Sequence, residues 1–121
     1  MERPEEMPVE SGDLDSNLQQ VQKLDRIIHE PSRLVILAAL NNVEEADFKF
    51  LCTVTGLTKG NLSRQSAQLE EAGYITIRKF YKGRIPATSY CMTARGREAF
   101  TDYWQQMSVL QKHFQESTLN T

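Results

Sequence analysis

Apolar residues change their spacing twice along the chain, and the changes divide it into elements. From Asp13 or Asp15 to Ile28 they recur every three or four positions (Leu14, Leu18, Val21, Leu24, Ile28), the period of one helix face. His29-Glu30-Pro31 ends that run, because the residue before a proline is pushed out of helical space. A second helix is expected from Pro31 or Ser32 to about Leu40. Its Leu34, Val35, Leu37, Ala38 and Leu40 make it apolar on nearly every side, as suits a central core helix. Asn41 to Asp47 is polar and reads as a connection. Asp47 is placed to cap a third helix that turns Phe48, Leu51, Val54 and then Leu57 inward. Thr58 caps a fourth, with Leu62, Ser66, Leu69 and Ala72 on one face. Gly73 stops it, since glycine enters the left-handed conformation without steric cost.

After Gly73 the period falls to two. Tyr74 to Tyr81 is β-branched and aromatic and predicts a strand with Ile75 and Ile77 on one side. Lys82 to Ala87 is expected to form a turn that is basic at its tip. Thr88 to Met92 is expected to be a second strand, with Tyr90 and Met92 inward. A two-stranded hairpin is barely stable alone in water, so it must pack on the helices. Thr93 then opens a last helix carrying Phe100, Tyr103, Trp104, Met107, Leu110 and Phe114 as an apolar stripe. The expected class is mainly α with a small β-hairpin, in the order α-α-α-α-β-β-α. Residues 1–12, rich in glutamate and proline, are expected to be a flexible acidic tail. Residues 13–116 are expected to form a single domain, and 117–121 a second flexible tail.

The chain has 121 residues, enough for one domain with a modest core. Its net charge of −2 hides an uneven distribution. Thr58 to Arg97 carries eight basic residues against two acidic ones, so the remainder is strongly acidic. One face can therefore meet an anion although the whole is acidic. No apolar run approaches the roughly 20 residues of a membrane span. A basic-then-apolar leader is missing, which points to the cytoplasm. Cys52 and Cys91 fit a reducing compartment as free thiols. His29 and His113 lie far apart and lack ligand spacing, so neither a metal nor another cofactor is expected. The chain shows no nucleophile–base pair, phosphate loop or carboxylate cluster, which argues against an enzyme.

The fourth helix carries the sharpest chemistry. Opposite its apolar face stand Lys59, Asn61, Arg64, Gln65 and Gln68, whose donors and acceptors match those of base edges. Glu70 and Glu71 come only in the last turn, where the helix dipole disfavours acids. Its N-terminal half is thus free of negative charge. The third helix, the Thr55-Gly56-Leu57 turn and this helix together read as a helix-turn-helix.

The chain resembles the small winged helix-turn-helix transcriptional regulators of the MarR and ArsR type. The resemblance rests on Pro31 to Leu37, Thr55 to Arg64 and Leu69 to Ile75. It continues in the wing Gly83-Arg84-x-Pro86-x-Thr88-x-Tyr90 and in Thr93-x-x-Gly96-Arg97, and it spans about Leu24 to Tyr103. It implies a sequence-specific DNA-binding regulator that represses by occupying a promoter. Lys59, Asn61, Ser63, Arg64 and Gln65 would face the major groove, with Thr58 and Gln68 at the ends of the same face. Lys82 and Arg84, with Arg78, would belong to a wing on the backbone or minor groove. Ser66 departs from the pattern, which has a large apolar residue there. Metal-sensing relatives carry a Cys-x-Cys before the recognition helix, and Cys52-Thr53-Val54 lacks the second thiolate.

Two apolar stripes exceed what the small core needs: Leu14, Leu18 and Val21, and Phe100, Tyr103, Trp104, Met107, Leu110 and Phe114. They are expected to pair as a homodimer interface, matching a pseudo-palindromic duplex operator. The alternative is that they pack on each other within one chain. Trp104 and Met107 could also line a pocket for an unidentified small-molecule effector, although such stripes are more often core. The rival function is a winged-helix module for protein–protein contact, its polar helix face meeting an acidic partner.

Overall fold

The structure, a computed structural model, describes residues 16 and 18–119, with side chains to residue 116. Leu14, the expected tail at 1–12, and Asn120 and Thr121 lie outside the described residues. The chain divides into two compact units, Asp25–Asp102 and the residues on either side of it.

In the larger unit the elements are α2 (Pro31–Asn41), β1 (Ala46–Asp47), α3 (Phe48–Thr55), α4 (Lys59–Glu71), β2 (Ile75–Lys82), β3 (Ile85–Met92) and the start of α5 (Ala94–Leu119). The order is the expected one with one addition. Ala46–Asp47, read from sequence as connection, pairs with Ser89 and Tyr90. The hairpin thereby becomes a three-stranded antiparallel sheet in the order β1-β3-β2. A two-residue strand leaves too short an alternation to be seen in a polar stretch.

The expected helix of 13–28 is shorter than its periodicity suggests. Residues 18–22 are helical (α1), and the chain then turns. Asp25 explains the turn. Its Oδ1 accepts from the backbone N–H of Ile27 at 2.8 Å and of Ile28 at 3.2 Å, local bonds that compete with a helix. The Tyr74 hydroxyl donates to its Oδ2. Ile28 is still fully buried, but from a turn.

Glu30 caps α2, its carboxylate accepting from the N–H groups of Ser32 and Arg33, both at 3.0 Å. Pro31 then sits in the first turn, where no N–H is needed. α2 is less central than expected. Ile36, Leu37 and Leu40 are buried, whereas Val35 and Ala38 are exposed. In α3, capped as expected by Asp47, Leu51 is buried but Val54 is exposed. A helix of eight residues shows the core one narrow side, and Leu51 occupies it.

The hairpin turn is tighter than the expected 82–87. Lys82 pairs with Ile85 across the two residues Gly83-Arg84, and Gly83 has φ +64. That suits a type II′ turn, which asks for glycine at its first central position. Pro86 therefore lies inside β3, opposite Tyr81. Next to the closing pair its nitrogen points away from β2. β1 does not extend that far, so no hydrogen bond is lost there.

Thr93 opens α5 as expected, accepting from Gly96 N–H at 2.9 Å while its hydroxyl donates to the Gly73 carbonyl at 2.7 Å. α5 runs to Leu119, so the tail expected from 117 overlaps the end of the helix. Of the residues expected at a dimer interface, Phe100 is buried in the larger unit. In the smaller unit Tyr103 and Leu110 are buried too, so these three belong to the chain's own core. Trp104, Phe114, Leu18 and Val21 remain exposed, and Met107 is half-buried. A cavity of about 270 Å³ lies there between Gln20, Gln105, Gln106, Val109 and Leu110. Trp104 and Met107 do not line it. Among the described residues no helix is long and apolar enough to cross a membrane.

Candidate nucleic-acid interface

α4 follows α3 after Gly56-Leu57-Thr58. Gly56 has φ +74, the left-handed turn that lets the chain reverse between two helices. The Thr58 hydroxyl accepts from Asn61 N–H at 3.1 Å and so caps the helix, while its own O–H donor stays on the exposed side. The first turn of α4 carries no acid. Its unpaired N–H groups and positive dipole end are therefore unopposed.

Leu62, Ser66 and Leu69 bury one side of α4. Helical spacing then puts Arg64 at the centre of the exposed side, flanked by Gly60 and Ala67. Lys59, Ser63, Arg64 and Gln68 are exposed. Asn61 and Gln65 are half-buried on the flank that meets the start of α2. Asn61 Nδ2 donates to Ser32 Oγ at 3.2 Å, and Gln65 Oε1 accepts from Arg33 Nη1 at 2.8 Å. The seven residues expected on one face are thus sorted. Asn61 and Gln65 brace, and five present themselves to solvent, Thr58 among them as the cap.

The other flank of α4 faces the sheet. Ser63, Ser66, Ala67 and Glu70 line a cleft of about 380 Å³ with Ile77, Lys79 and Tyr90. Ser66 is 1% exposed, and its hydroxyl donates to the Ser63 carbonyl at 3.2 Å. Burial pushes the Tyr90 hydroxyl pKa up, and a hydrogen bond with Ser66 offsets part of that. The small side chain leaves room for this cleft without stranding a polar group. Glu70, unfavourable for the helix dipole, accepts from Ile77 N–H at 3.2 Å and ties the helix end to β2.

Strand alternation sorts the wing. Ile77, Lys79 and Tyr81 share the face that lines the cleft, so Lys79 and Tyr81 stand on the α4 side. Arg78 points the other way, its guanidinium 4.3 Å from the centre of the Phe80 ring. Lys82 and Arg84 are exposed at the tip. Of the three expected wing residues, two therefore sit at the tip and Arg78 lies on the opposite face. Lys79 was missed, although the alternation of Ile75, Ile77 and Lys79 carried the signal. Arg33 was also missed, and no spacing in the sequence ties it to α4. Among the described residues no group of three or more His, Cys, Asp and Glu side chains could hold a metal ion.

A family model described as a winged helix DNA-binding domain matches residues 32–110. An uncharacterised protein of Methanocaldococcus jannaschii is 34% identical over 91 residues, covering 74% of this chain and 98% of that protein. The structure of a transcriptional regulator homologue from Pyrococcus horikoshii is similar over 82% of this chain and 97% of its own. The identity is 26% and the TM-score 0.74. A MarR-family transcriptional regulator from Enterococcus faecalis shares the fold at 16% identity and a TM-score of 0.64, over 86% of this chain and 93% of its own.

Proposed function

The chain belongs to the winged helix DNA-binding domain family, and from that premise we propose that it is a transcriptional regulator that binds duplex DNA with α4 in the major groove. One observation carries the reading. α4 offers an acid-free N-terminal half with Lys59 and Arg64 exposed, and the same unit carries Lys79, Lys82 and Arg84 on the wing. Lys59, Ser63, Arg64 and Gln68 read base edges, with Arg64 suited to the two acceptors of guanine. Lys82 and Arg84 hold the backbone or minor groove and fix the register. Arg78 is left out of this set because its guanidinium is stacked on Phe80.

In this reading the protein acts as a homodimer on a pseudo-palindromic site and represses by occupancy. Exposed Leu18, Val21, Trp104, Val109 and Phe114 are apolar surface that a second copy would cover. The smaller unit's cavity, lined by three glutamines and two aliphatic side chains, is where an effector would be sought. A protein–protein module with an acidic partner is the rival.

Duplex affinity as a function of salt separates the two. Binding should weaken steeply with salt, by a log–log slope of about 0.9 per phosphate contacted. Lys82→Ala should weaken every duplex and flatten that slope by about one contact. A full-length chain that binds no duplex at low salt would remove the proposal.

A further inference from the structure

Asn61, Gln65 and Gln68 form a row along the flank of α4 that meets α2, and Arg33 stands behind them. Arg33 is anchored from the rear. Its Nε donates to the Ile27 carbonyl, its Nη2 to the Arg26 carbonyl at 3.4 Å, and Glu30 lies 3.8 Å away. Its Nη1 donates forward to Gln65 Oε1 at 2.8 Å and to Gln68 Oε1 at 3.0 Å. A guanidinium has donors and no acceptor. Each glutamine must therefore turn its oxygen toward Arg33 and its nitrogen away.

The two glutamines then differ. Gln65 Nε2 donates to Asn61 Oδ1 at 3.4 Å, and Asn61 is itself tied to Ser32. Gln65 and Asn61 are thus held at both ends. Gln68 is exposed and held through its oxygen, which leaves its two N–H donors facing out.

We propose that Arg33, outside the helix-turn-helix, is a specificity-determining positioning residue: it engages the Gln68 oxygen so that Gln68 presents donors to the groove. This rests on the reading of α4 as the groove helix. An unconstrained glutamine pairs with adenine by donating to N7 and accepting from N6. With its oxygen turned back to Arg33, Gln68 keeps only the N7 contact to adenine and sets its second donor against the N6 donor, whereas guanine offers two acceptors, N7 and O6, and thymine offers O4. Gln68 therefore selects a keto base where glutamine alone would select adenine. Asn61 and Gln65 act as struts that hold the helix on α2.

The experiment is selection of sites from a random duplex library by the full chain, by Gln68→Ala and by Arg33→Met. Affinities of single-base site variants are then measured. In the wild type one position per half-site should prefer guanine or thymine over adenine by roughly five-fold or more, as a good base contact does. Gln68→Ala should level that position alone. Arg33→Met should move it toward adenine while the other positions and the salt slope stay as they were, which a merely structural loss would not do. Adenine at the Gln68-dependent position in the wild type would overturn the inference. So would a profile with no position that responds to Gln68→Ala. These two outcomes need no Arg33 variant, so instability of Arg33→Met does not shield the proposal. If the full chain selects no duplex, the functional reading fails first and takes this inference with it.

Discussion

At the scale of single residues, the caps were the most legible features. Thr58, Asp47 and Thr93 have the side chains that helix starts require, and each makes the bond expected of it. Long-range side-chain partners were not legible. Nothing in the sequence joins Arg33 to Gln68 or Asp25 to Tyr74, because such pairs exist only once elements pack. Tyr74 has a measurable consequence. Burial, then the hydrogen bond to Asp25 and its negative charge, push the hydroxyl pKa from 10.0 to about 12. The neutral phenol is thus favoured in the folded state. Its contribution to stability is whole below pH 10 and is lost as the pH rises through about 12. Tyr74→Phe should cost about 1.5–3 kcal/mol at neutral pH, the range for a bond to a charged group, and should flatten stability against pH above 10. Denaturant titrations at pH 7 and 11 check both, and an unchanged pH profile would contradict the assignment.

At the scale of elements, the switch of period from 3.6 to 2 at Gly73 located the helix-to-sheet boundary. Two elements escaped that signal for physical reasons. β1 is too short to alternate, and α1 ends early because Asp25 offers the backbone local bonds that periodicity cannot register. The junction of β2 with α5 depends on Gly96. A Cβ there would lie 2.0 Å from the Tyr74 carbonyl oxygen, a backbone atom with nowhere to go. The close approach lets Thr93 bond to both Gly73 and Tyr74, and so seats the helix against the root of the wing. Gly96→Ala should lower stability by about 3 kcal/mol or more, the upper range for forced overpacking. A loss under about 1 kcal/mol in a denaturant titration would mean that the junction yields, and that the approach is not required.

At the scale of the whole molecule, the sequence announced an excess of apolar surface but not how it divides. Tyr103 and Leu110 are spent on the chain's own core, while Trp104 and Val109 stay exposed. Which side of a long helix turns inward depends on what it packs against, and periodicity alone leaves that open. Association is therefore best tested at Trp104 and Val109, since a charge at Leu110 would test folding instead. Trp104→Glu with Val109→Glu should convert a dimer to a monomer in sedimentation at micromolar concentration, with the circular dichroism of the helices retained. A wild-type monomer would end the dimer reading. A dimer also implies recognition helices spaced by one helical turn of DNA, about 34 Å. The most direct measurement is guanine N7 methylation interference on a selected duplex, because N7 lies in the major groove. The expected result is two interference patches about one turn apart on one face of the duplex. In each, a guanine contact should vanish for Arg64→Ala, which should also lose about 1–3 kcal/mol of specific binding. Binding that tolerates N7 methylation throughout, or that Arg64→Ala leaves unchanged, would contradict the placement of α4 in the major groove.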